Sequence, residues 1–462
     1  MEDNLINLKN ERYINFYKEN INILIYVANS VEFDTTLLYL KKNNRNVISF
    51  LENGNCYYIG KIGLYPVVLV KGGAIGQSKI NSSEPTINQT LKCFNNIKYI
   101  ITVGVCGGAS SKVEIGDVVI ANEIVDYESQ KIQDDEIIDR SQGLFPTELG
   151  NVLSSLVCTM QFEEFNVHYG KVISGNKLVN SRKYAKELKN IHKEVLALDM
   201  EGYSISRATV TNKLNDWIFI KSPSDNLSDK LGSQGQKRCV KHSLSVLEKI
   251  MNIPNIFETT KIKILISGSY IYGDSLTKKV EELSYKLTQK LINSDYKIVS
   301  GYGMCVGNAV VAGAYNSHNH LLNQNNSLQN FIEVYPFPRV ENDEIVECLE
   351  NLKYENRQAM AKSSSFTIFI YGKKDNGELA SGMDDEFRLT KRTFVVPVGS
   401  TGHKAKKLWS IVNNNFEDYY LNDEALKELF LKLNFETDNI DIIINSITNF
   451  IKEVKSFYFD FI

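Results

Sequence analysis

Short apolar runs alternate with amphipathic stretches along most of the chain, which is the pattern of an α/β protein. The first buried strand is predicted at Ile21–Ala28, followed by a helix over about residues 32–42. Further strands are predicted at Tyr57–Ile62, Pro66–Lys71, Tyr99–Gly104, Asp117–Asp126, Gly170–Ser174 and Trp217–Lys221. A helix over about residues 238–251 ends this part. The pattern predicts an open, mainly parallel sheet with helices between the strands.

The pattern stops at Asn252–Thr260, which has no clear periodicity, and restarts at Lys261 with a second buried strand. We therefore predict two different domains, residues 1–252 and residues 261–462. In the second, helices are predicted at Ser275–Asn293, Asp423–Leu433 and Ile440–Lys455, and strands at Tyr296–Gly303, Phe331–Tyr335, Thr367–Tyr371 and Thr393–Val398. The pattern in this half also predicts an open, mainly parallel sheet. The sequence of this half does not repeat that of the first half.

Composition excludes several classes of protein. The 462 residues carry 52 Lys+Arg against 55 Asp+Glu, a net charge of −3, which argues against nucleic acid or an anionic membrane as the main partner. The seven cysteines are scattered, without a CxxC pair or a histidine cluster, so we expect no disulfide framework and no metal site. The N-terminus lacks a signal-peptide core, and no apolar run reaches the ~20 residues that span a bilayer. We expect a cytoplasmic protein without a cofactor.

Five sequence segments in the first half carry the candidate chemistry. They are IITVGVCGGA (Ile100–Ala109), VEIGDVVIANEIVDY (Val113–Tyr127), GKVISGNKLVNS (Gly170–Ser181), LALDMEGYSISRA (Leu196–Ala208) and FIKSPSDN (Phe219–Asn226). In this order, over roughly residues 20–250, they resemble the purine nucleoside phosphorylase/methylthioadenosine nucleosidase superfamily. The resemblance implies a three-layer α/β sandwich around a distorted mixed sheet, and a homo-oligomer.

The resemblance assigns a role to each of three acids. Glu32 would activate water, Glu201 would bind the ribose 2′- and 3′-hydroxyls, and Asp225 would protonate the purine N7. These roles suit glycosidic cleavage, because the leaving base gains negative charge while the sugar gains positive charge. Taken singly, Glu32 is equally explained as an acid at a helix N-terminus, and Asp225 as a capping or turn residue.

Four further residues are predicted to bind the substrate: Met200 under the sugar, Ser224 before the acid, Val105 in the Gly-rich turn, and Leu178. The Val105 side chain cannot hydrogen-bond phosphate and no arginine lies nearby in the sequence, so water is favoured over phosphate as the acceptor. Lys177 and Lys221 are possible phosphate neighbours by position only, and solvated surface lysines are the ordinary alternative.

The substrate is predicted only in part from these segments. They are similar to nucleosidase modules fused to sensor domains in bacterial immune proteins, which implies an adenine nucleotide such as ATP. The 5′-group of the substrate does not follow from these residues. Cys106, in the Gly-rich turn, is interpreted as a small packing residue.

In the second half, Gly301, Gly303 and Gly307 follow a strand and open a helix. Their spacing departs from the dinucleotide motif, so a dehydrogenase is disfavoured, although such glycines still let a backbone approach a phosphate. The accompanying segments are ISGSYIYGD (Ile266–Asp274), YENRQAMAKSS (Tyr354–Ser364), IFIYGKK (Ile368–Lys374), ASGMDDEF (Ala380–Phe387) and VVPVGSTGHKAKKLW (Val395–Trp409). Together they resemble the SLOG domain, a Rossmann-like nucleotide sensor, and most of all that of Thoeris anti-phage effectors.

That resemblance implies a cyclic ADP-ribose isomer, made by a TIR-domain protein, as the signal. The family's signal-contacting residues fall on Arg357, Lys374 and Glu386, with Asp384 or Asp385 as the acid if the register slips by one. Arg357 and Lys374 suit a pyrophosphate, and Glu386 suits ribose or adenine. The strand end Ser267, Gly268 and Ser269 and the three glycines complete the predicted signal site.

Together the two halves predict an anti-phage effector in which signal binding activates hydrolysis of the N-glycosidic bond of adenine nucleotides or nucleosides. Three alternatives remain: a purine nucleoside phosphorylase that uses phosphate, a nucleotide-binding scaffold without activity, and a SLOG domain with its own phosphoribohydrolase activity. The absence of a PGGxGT-type segment weighs against the last.

Overall fold

A computed structural model describes residues 4–73, 82–132, 137–179, 181–227, 231–317, 327–337, 346–373, 379–420 and 423–459. The chain divides into two compact units with the division between Thr260 and Lys261. Unlike in the predicted ranges, Asn10–Phe16 belongs to the second unit. The reason is aromatic packing within that unit, where the Tyr13 ring lies 5.3 Å from the Phe394 ring.

The first unit contains most of the predicted elements and several that were not predicted. Its strands are β1 (Leu5–Asn7), β2 (Ile23–Val27), β3 (Val47–Glu52), β4 (Asn55–Ile62), β5 (Tyr65–Lys71), β6 (Tyr99–Gly108), β7 (Val118–Asp126), β8 (Gln130–Ile132), β9 (Ile137–Asp139), β10 (Gly143–Leu144), β11 (Val167–Ser174), β12 (Val195–Asp199) and β13 (Asp216–Asp225). Its helices are α2 (Ser30–Asn43), α3 (Ser83–Cys93), α4 (Glu148–Val157), α5 (Arg182–Ile191), α6 (Gly202–Thr211) and α7 (Ser233–Met251), and α1 (Glu11–Asn20) precedes them.

Within the described residues, eleven of these strands form one sheet in the order β1-β3-β4-β5-β2-β6-β12-β11-β7-β10, with β13 paired to β6 and β7. Six of the eleven strand pairings described in this sheet are parallel and five are antiparallel, so the sheet is mainly but not wholly parallel. Strand β4 is antiparallel to both of its neighbours, and β12 is antiparallel to β6. The sheet is therefore mixed, as the family resemblance implied.

The alternation of side chains along β13 shows why both faces of this sheet are covered. Ile218 and Ile220 pack in a core cluster with Leu244 and Leu247 of α7. Trp217 and Phe219 point to the other face and pack in a separate cluster. Because successive strand residues face opposite sides, a strand that is apolar at every position has to lie between two layers. The unit is a three-layer α/β sandwich.

The second unit contains a smaller sheet. Its strands are β14 (Lys263–Ser269), β15 (Lys297–Ser300), β16 (Ile332–Val334), β17 (Phe366–Tyr371) and β18 (Phe394–Pro397). Its helices are α8 (Thr277–Asn293), α9 (Val306–Tyr315), α10 (Val346–Ser363), α11 (Gly382–Leu389), α12 (His403–Asn414), α13 (Phe416–Tyr419), α14 (Glu424–Lys432) and α15 (Ile440–Phe459).

All pairings in this sheet are parallel, in the order β16-β15-β14-β17-β18, which confirms the predicted parallel sheet. Strands β15 and β16 lie on one side of β14, and β17 and β18 lie on the other, so the strand order reverses at β14. In open α/β sheets a crevice opens at such a point, outside the carboxyl ends of the strands, and ligands bind there. The fold thus places the ends of β14, β15 and β17 around a potential ligand site.

Among the residues that the structure describes, no helix is both long and apolar enough to cross a bilayer.

Candidate active site

A cavity of about 410 Å³ in the first unit opens where β2, β6, β12 and β13 end. The structure brings all seven residues predicted for catalysis and substrate binding to its wall: Glu32, Val105, Leu178, Met200, Glu201, Ser224 and Asp225. These residues are scattered over nearly two hundred positions of the chain. What gathers them is the common edge at which the central strands of the sheet end.

Glu32 is held in the first turn of α2. Its Oε2 accepts hydrogen bonds from the N–H groups of Ala28 (2.8 Å) and Asn29 (3.2 Å), and the Asn29 side chain accepts one from the Glu32 N–H, which completes a capping box. Its Oε1 accepts from the Val105 N–H at 2.8 Å. Glu32 is thus a helix-capping acid and a wall residue of the cavity at once, so the two sequence interpretations do not exclude each other.

Gly104 gives Glu32 the room to make these contacts. A Cβ at position 104 would lie 2.0 Å from Glu32 Oε1, inside any allowed contact distance. A glycine is therefore needed at position 104, where β6 passes the Glu32 carboxylate.

Asp225 is the last residue of β13 and is half-buried at the cavity wall. Its Oδ1 accepts a hydrogen bond from the Leu227 N–H at 3.0 Å. The chain turns here, and the Gly107 backbone on the neighbouring strand leaves space beside the carboxylate, because a Cβ there would lie 3.1 Å from Oδ1. This geometry fixes the direction of the carboxylate by a backbone contact.

Glu201 is positioned by a second carboxylate that the sequence analysis did not single out. Asp199, at the end of β12, accepts hydrogen bonds through Oδ2 from the N–H groups of Glu201 (2.8 Å) and Gly202 (2.6 Å). Both acids are buried. Asp199 thereby holds the start of α6, where Glu201 faces the cavity.

Lys221 is a correction to the sequence analysis, which treated it as a possible phosphate neighbour or a solvated surface lysine. The side chain is only 1% exposed, and its Nζ lies 2.6 Å from Asp199 Oδ1, 3.3 Å from Glu201 Oε2 and 4.0 Å from Glu32 Oε1. Burial by itself lowers the pKa of Lys221, but the carboxylates outweigh it and hold the pKa well above its ordinary value. The lysine is therefore a charged counter-ion beneath the active cavity.

The described wall of the cavity is rich in acids and poor in cations. Lys177 is the one Lys or Arg among the described lining residues; its side chain is 59% exposed and pairs with Glu128 at 3.3 Å. Cys106 also lines the cavity, and burial raises the pKa of its thiol well above the ordinary value. A neutral, buried thiol fits the interpretation of Cys106 as a packing residue.

Sequence reasoning missed two residues that line the cavity, Asp199 and Gln236. It also missed that Lys221 is the counter-ion of Asp199. A signal existed for Lys221, because it occupies an inward position of a strand whose neighbours are apolar. A charged side chain at such a position needs a buried partner. Asp199 carried a weaker signal, as the acid that ends a short strand before DMEG.

A second cavity of about 740 Å³ lies in the second unit, at the carboxyl ends of β14, β15 and β17. It is lined by seven of the nine predicted signal-binding residues: Ser267, Gly268, Ser269, Gly301, Gly303, Arg357 and Glu386. Gly307 is not among the lining residues and instead packs in α9, where a Cβ would lie 2.5 Å from the Tyr302 backbone. Lys374 lies outside the described residues. Its neighbour Lys373 lines the cavity and pairs with Asp274 at 3.0 Å.

Arg357 and Glu386 are adjacent in this cavity. Arg357 Nε lies 3.7 Å from Glu386 Oε1, and the guanidinium stacks on the Phe337 ring at 5.0 Å from its centre. Glu386 accepts a hydrogen bond from the Ser267 hydroxyl. Burial raises the pKa of Glu386 to about 6, although the Ser267 hydrogen bond and the Arg357 charge act in the opposite direction. Asp385 pairs with Arg357 from farther away, at 3.8 Å.

Comparison with known families agrees with this division. Residues 22–250 match the phosphorylase superfamily, and residues 246–454 match the Sir2- and TIR-associating SLOG family. The chain is a phosphorylase-superfamily domain joined to a SLOG domain. The first unit is accordingly called the phosphorylase-type domain below, and the second the SLOG domain.

Several curated proteins are similar to parts of the chain. The NAD(+) hydrolase ThsA of Bacillus cereus (strain MSX-D12) is 35% identical over 214 residues, which cover 45% of this chain and 43% of that protein. A Death domain-containing ATP nucleosidase of Amphimedon queenslandica is 28% identical over 243 residues, 47% and 45% of the two chains. The 5′-methylthioadenosine/S-adenosylhomocysteine nucleosidase of Staphylococcus epidermidis is 23% identical over 233 residues, 49% and 97%. The chain thus spans less than half the length of the first two relatives.

Proposed function

We propose that the phosphorylase-type domain hydrolyses the N-glycosidic bond of adenine nucleotides or nucleosides. The observation that carries the proposal is the cavity whose lining includes Glu32, Glu201 and Asp225. The names of two similar proteins support it, because each names a nucleosidase.

The geometry suits one sequence of bond changes. Glu32 takes a proton from water, whose oxygen bonds to the ribose C1′ as the bond from C1′ to the base nitrogen breaks. Asp225, protonated, gives its proton to the purine N7, so the base leaves neutral. Glu201 binds the ribose hydroxyls and, with the nearby carboxylates, stabilises the positive charge that develops on the sugar. The starting state of the enzyme returns when Glu32 loses the proton that it took from water and Asp225 takes up a new proton.

The charge around the cavity supports water as the acceptor. Holding inorganic phosphate needs cations in the pocket, but the described wall offers the exposed Lys177 alone, while Lys221 is neutralised by carboxylates beneath it. An anion at the attacking position would be repelled by Glu32, Glu201 and Asp199. Water carries no such penalty, so we propose that water is the acceptor. The similarity to an ATP nucleosidase supports ATP-like nucleotides as the favoured substrates.

We further propose that the SLOG domain binds a cyclic ADP-ribose isomer made by a TIR-domain protein, and that this signal activates the enzyme in a Thoeris-type anti-phage response by a homo-oligomer. The cavity supports this with a stacked arginine, a lysine and a buried acid: Arg357, Lys373 and Glu386. A pyrophosphate-linked ligand suits the two cations, and a ribose hydroxyl suits the acid. Activation requires that the signal bind the active state more tightly than the inactive one.

The test is chromatography after incubating the purified full-length chain with ATP, AMP, adenosine and NAD in phosphate-free buffer. The incubation is run with and without cyclic ADP-ribose isomers. We expect free adenine to appear, and to increase strongly when the signal is present. Release of nicotinamide instead of adenine would overturn the substrate assignment, and a requirement for phosphate would overturn hydrolysis. Equal release with and without every isomer would overturn the proposed signal.

A further inference from the structure

Besides Ser224, which precedes Asp225, the cavity carries three uncharged polar side chains that the proposed mechanism does not use. Asn29 and Ser30 begin α2, directly before Glu32, and Gln236 lies in the first turn of α7. Helices α2 and α7 pack against each other. We call the wall formed by Asn29, Ser30 and Gln236 the polar end of the cavity.

The part of the wall around Asp225 has a different character. Val179, Leu198 and Leu227 line the cavity there and belong to one buried apolar cluster that also contains Tyr127. Leu227 is tied to Asp225 by its N–H group. A purine whose N7 meets Asp225 packs against these apolar side chains. The substituent at the ribose 5′-carbon is then left to the polar end.

A positive charge adjoins the polar end from β5. Lys71 Nζ donates a hydrogen bond to Ser30 Oγ at 2.9 Å, and within the described part of the chain no carboxylate pairs with this ammonium. A lysine that lacks a carboxylate partner beside a cavity wall is suited to an anionic ligand group, because it gives a charge-assisted hydrogen bond. The acids Glu32 and Glu201 make such a counter-charge necessary if the ligand is a nucleotide.

We propose that the polar end binds the 5′-phosphate of the substrate, with Ser30 and Gln236 as hydrogen-bond donors and Lys71 as the counter-charge. This rests on the proposed function and assigns its substrate class: nucleosides phosphorylated at the 5′-position. A 5′-thioether, as in methylthioadenosine, finds no apolar partner at Asn29, Ser30 or Gln236, and its burial leaves those polar groups without water.

The test measures binding by calorimetry in the full-length chain carrying Glu32→Gln, so that turnover does not consume the ligands. AMP is expected to bind more tightly than adenosine or methylthioadenosine. Lys71→Met and Gln236→Met each lower the AMP affinity by about tenfold, the loss of one hydrogen bond to a charged group, and leave the adenosine affinity unchanged. Lys42→Met, at the exposed far end of α2, is the matched control and changes neither affinity.

Tighter binding of methylthioadenosine than AMP would overturn the proposal, and so would equal losses of AMP and adenosine affinity in Lys71→Met. Adenine release by the chain with native Glu32 separates this outcome from failure of the proposed function. If no adenine forms but the affinities follow the expected order, hydrolysis fails and the phosphate site stands. If adenine forms and the preference for AMP over adenosine is the same in Lys71→Met, the phosphate site fails and hydrolysis stands.

Discussion

Replacing Lys221 with methionine tests the role of the buried charge beneath the active cavity. Methionine has nearly the same length, so the change removes the ammonium and little else. Three carboxylates, Asp199, Glu201 and Glu32, then lose the cation that lies 2.6, 3.3 and 4.0 Å from them. We expect a less stable phosphorylase-type domain and slower adenine release.

The size of both effects follows from these distances. Breaking a buried ion pair by removing one partner costs about 3–5 kcal/mol, which in a domain of this size lowers the melting temperature by about 10 °C. For two charges 4 Å apart, the attraction is about 4 kcal/mol at an effective dielectric constant near 20. Its loss leaves the three carboxylates to repel one another, so we expect their positions to change and adenine release to slow by about tenfold or more.

Two assays measure this: calorimetric melting of the full chain, and kcat/KM for adenine release. Because the pKa of Lys221 is raised above 10.5, its stabilisation is complete below pH 10.5 and is lost only above the raised pKa. The stability difference should therefore persist at neutral pH. Lys221→Arg keeps the charge and should keep adenine release, and Lys92→Met at an exposed position is the control. Unchanged melting together with an unchanged kcat/KM in Lys221→Met would show that the buried ammonium does not hold the three carboxylates in place.

Two further substitutions probe other contacts. Gly104→Ala places a methyl group 2.0 Å from Glu32 Oε1, and we expect adenine release to fall by about a hundredfold or more, whereas Gly232→Ala, with nothing within 4 Å of the new carbon, keeps activity. Glu386→Gln removes an acid whose pKa is raised from 4.5 to about 6. As the pH falls from above 6 to below 4.5, the free energy of unfolding of the unmodified chain should therefore rise by about 2 kcal/mol relative to that of the variant. Calorimetry across that range checks this, with the exposed Glu355→Gln as the control; the opposite sign, or no change, would contradict the buried acid.

The strands with long apolar runs were predictable, because a strand that is buried on both faces of a sheet has apolar residues at consecutive positions. Trp217–Lys221 is one example, although the strand continues to Asp225. Val195–Asp199 was missed, because a short apolar run rich in Leu and Ala fits a helix as well as a strand. Helix Gly202–Thr211 was also missed, because it has few large apolar residues. Asn10–Phe16 was assigned to the wrong half, because only the folded chain shows which core its aromatic rings enter.

The candidate site was predictable to the extent that family motifs mark it. Glu32, Glu201 and Asp225 were placed by resemblance, and the fold brings them to one cavity. The contact between Lys221 and Asp199 did not follow from the sequence. The two lie on different strands, 22 positions apart, and their contact depends on the mixed strand order of the sheet.

Asp225 is the acid on which the proposed cleavage of the N-glycosidic bond depends. The most direct measurement is the rate of adenine release in phosphate-free buffer by the native chain and by Asp225→Asn, with the activating signal present. Asparagine can still accept the Leu227 hydrogen bond, so the local turn is kept. We predict release by the native chain and a loss of about 10²–10⁴-fold in the variant. Equal rates for the two proteins would contradict the account.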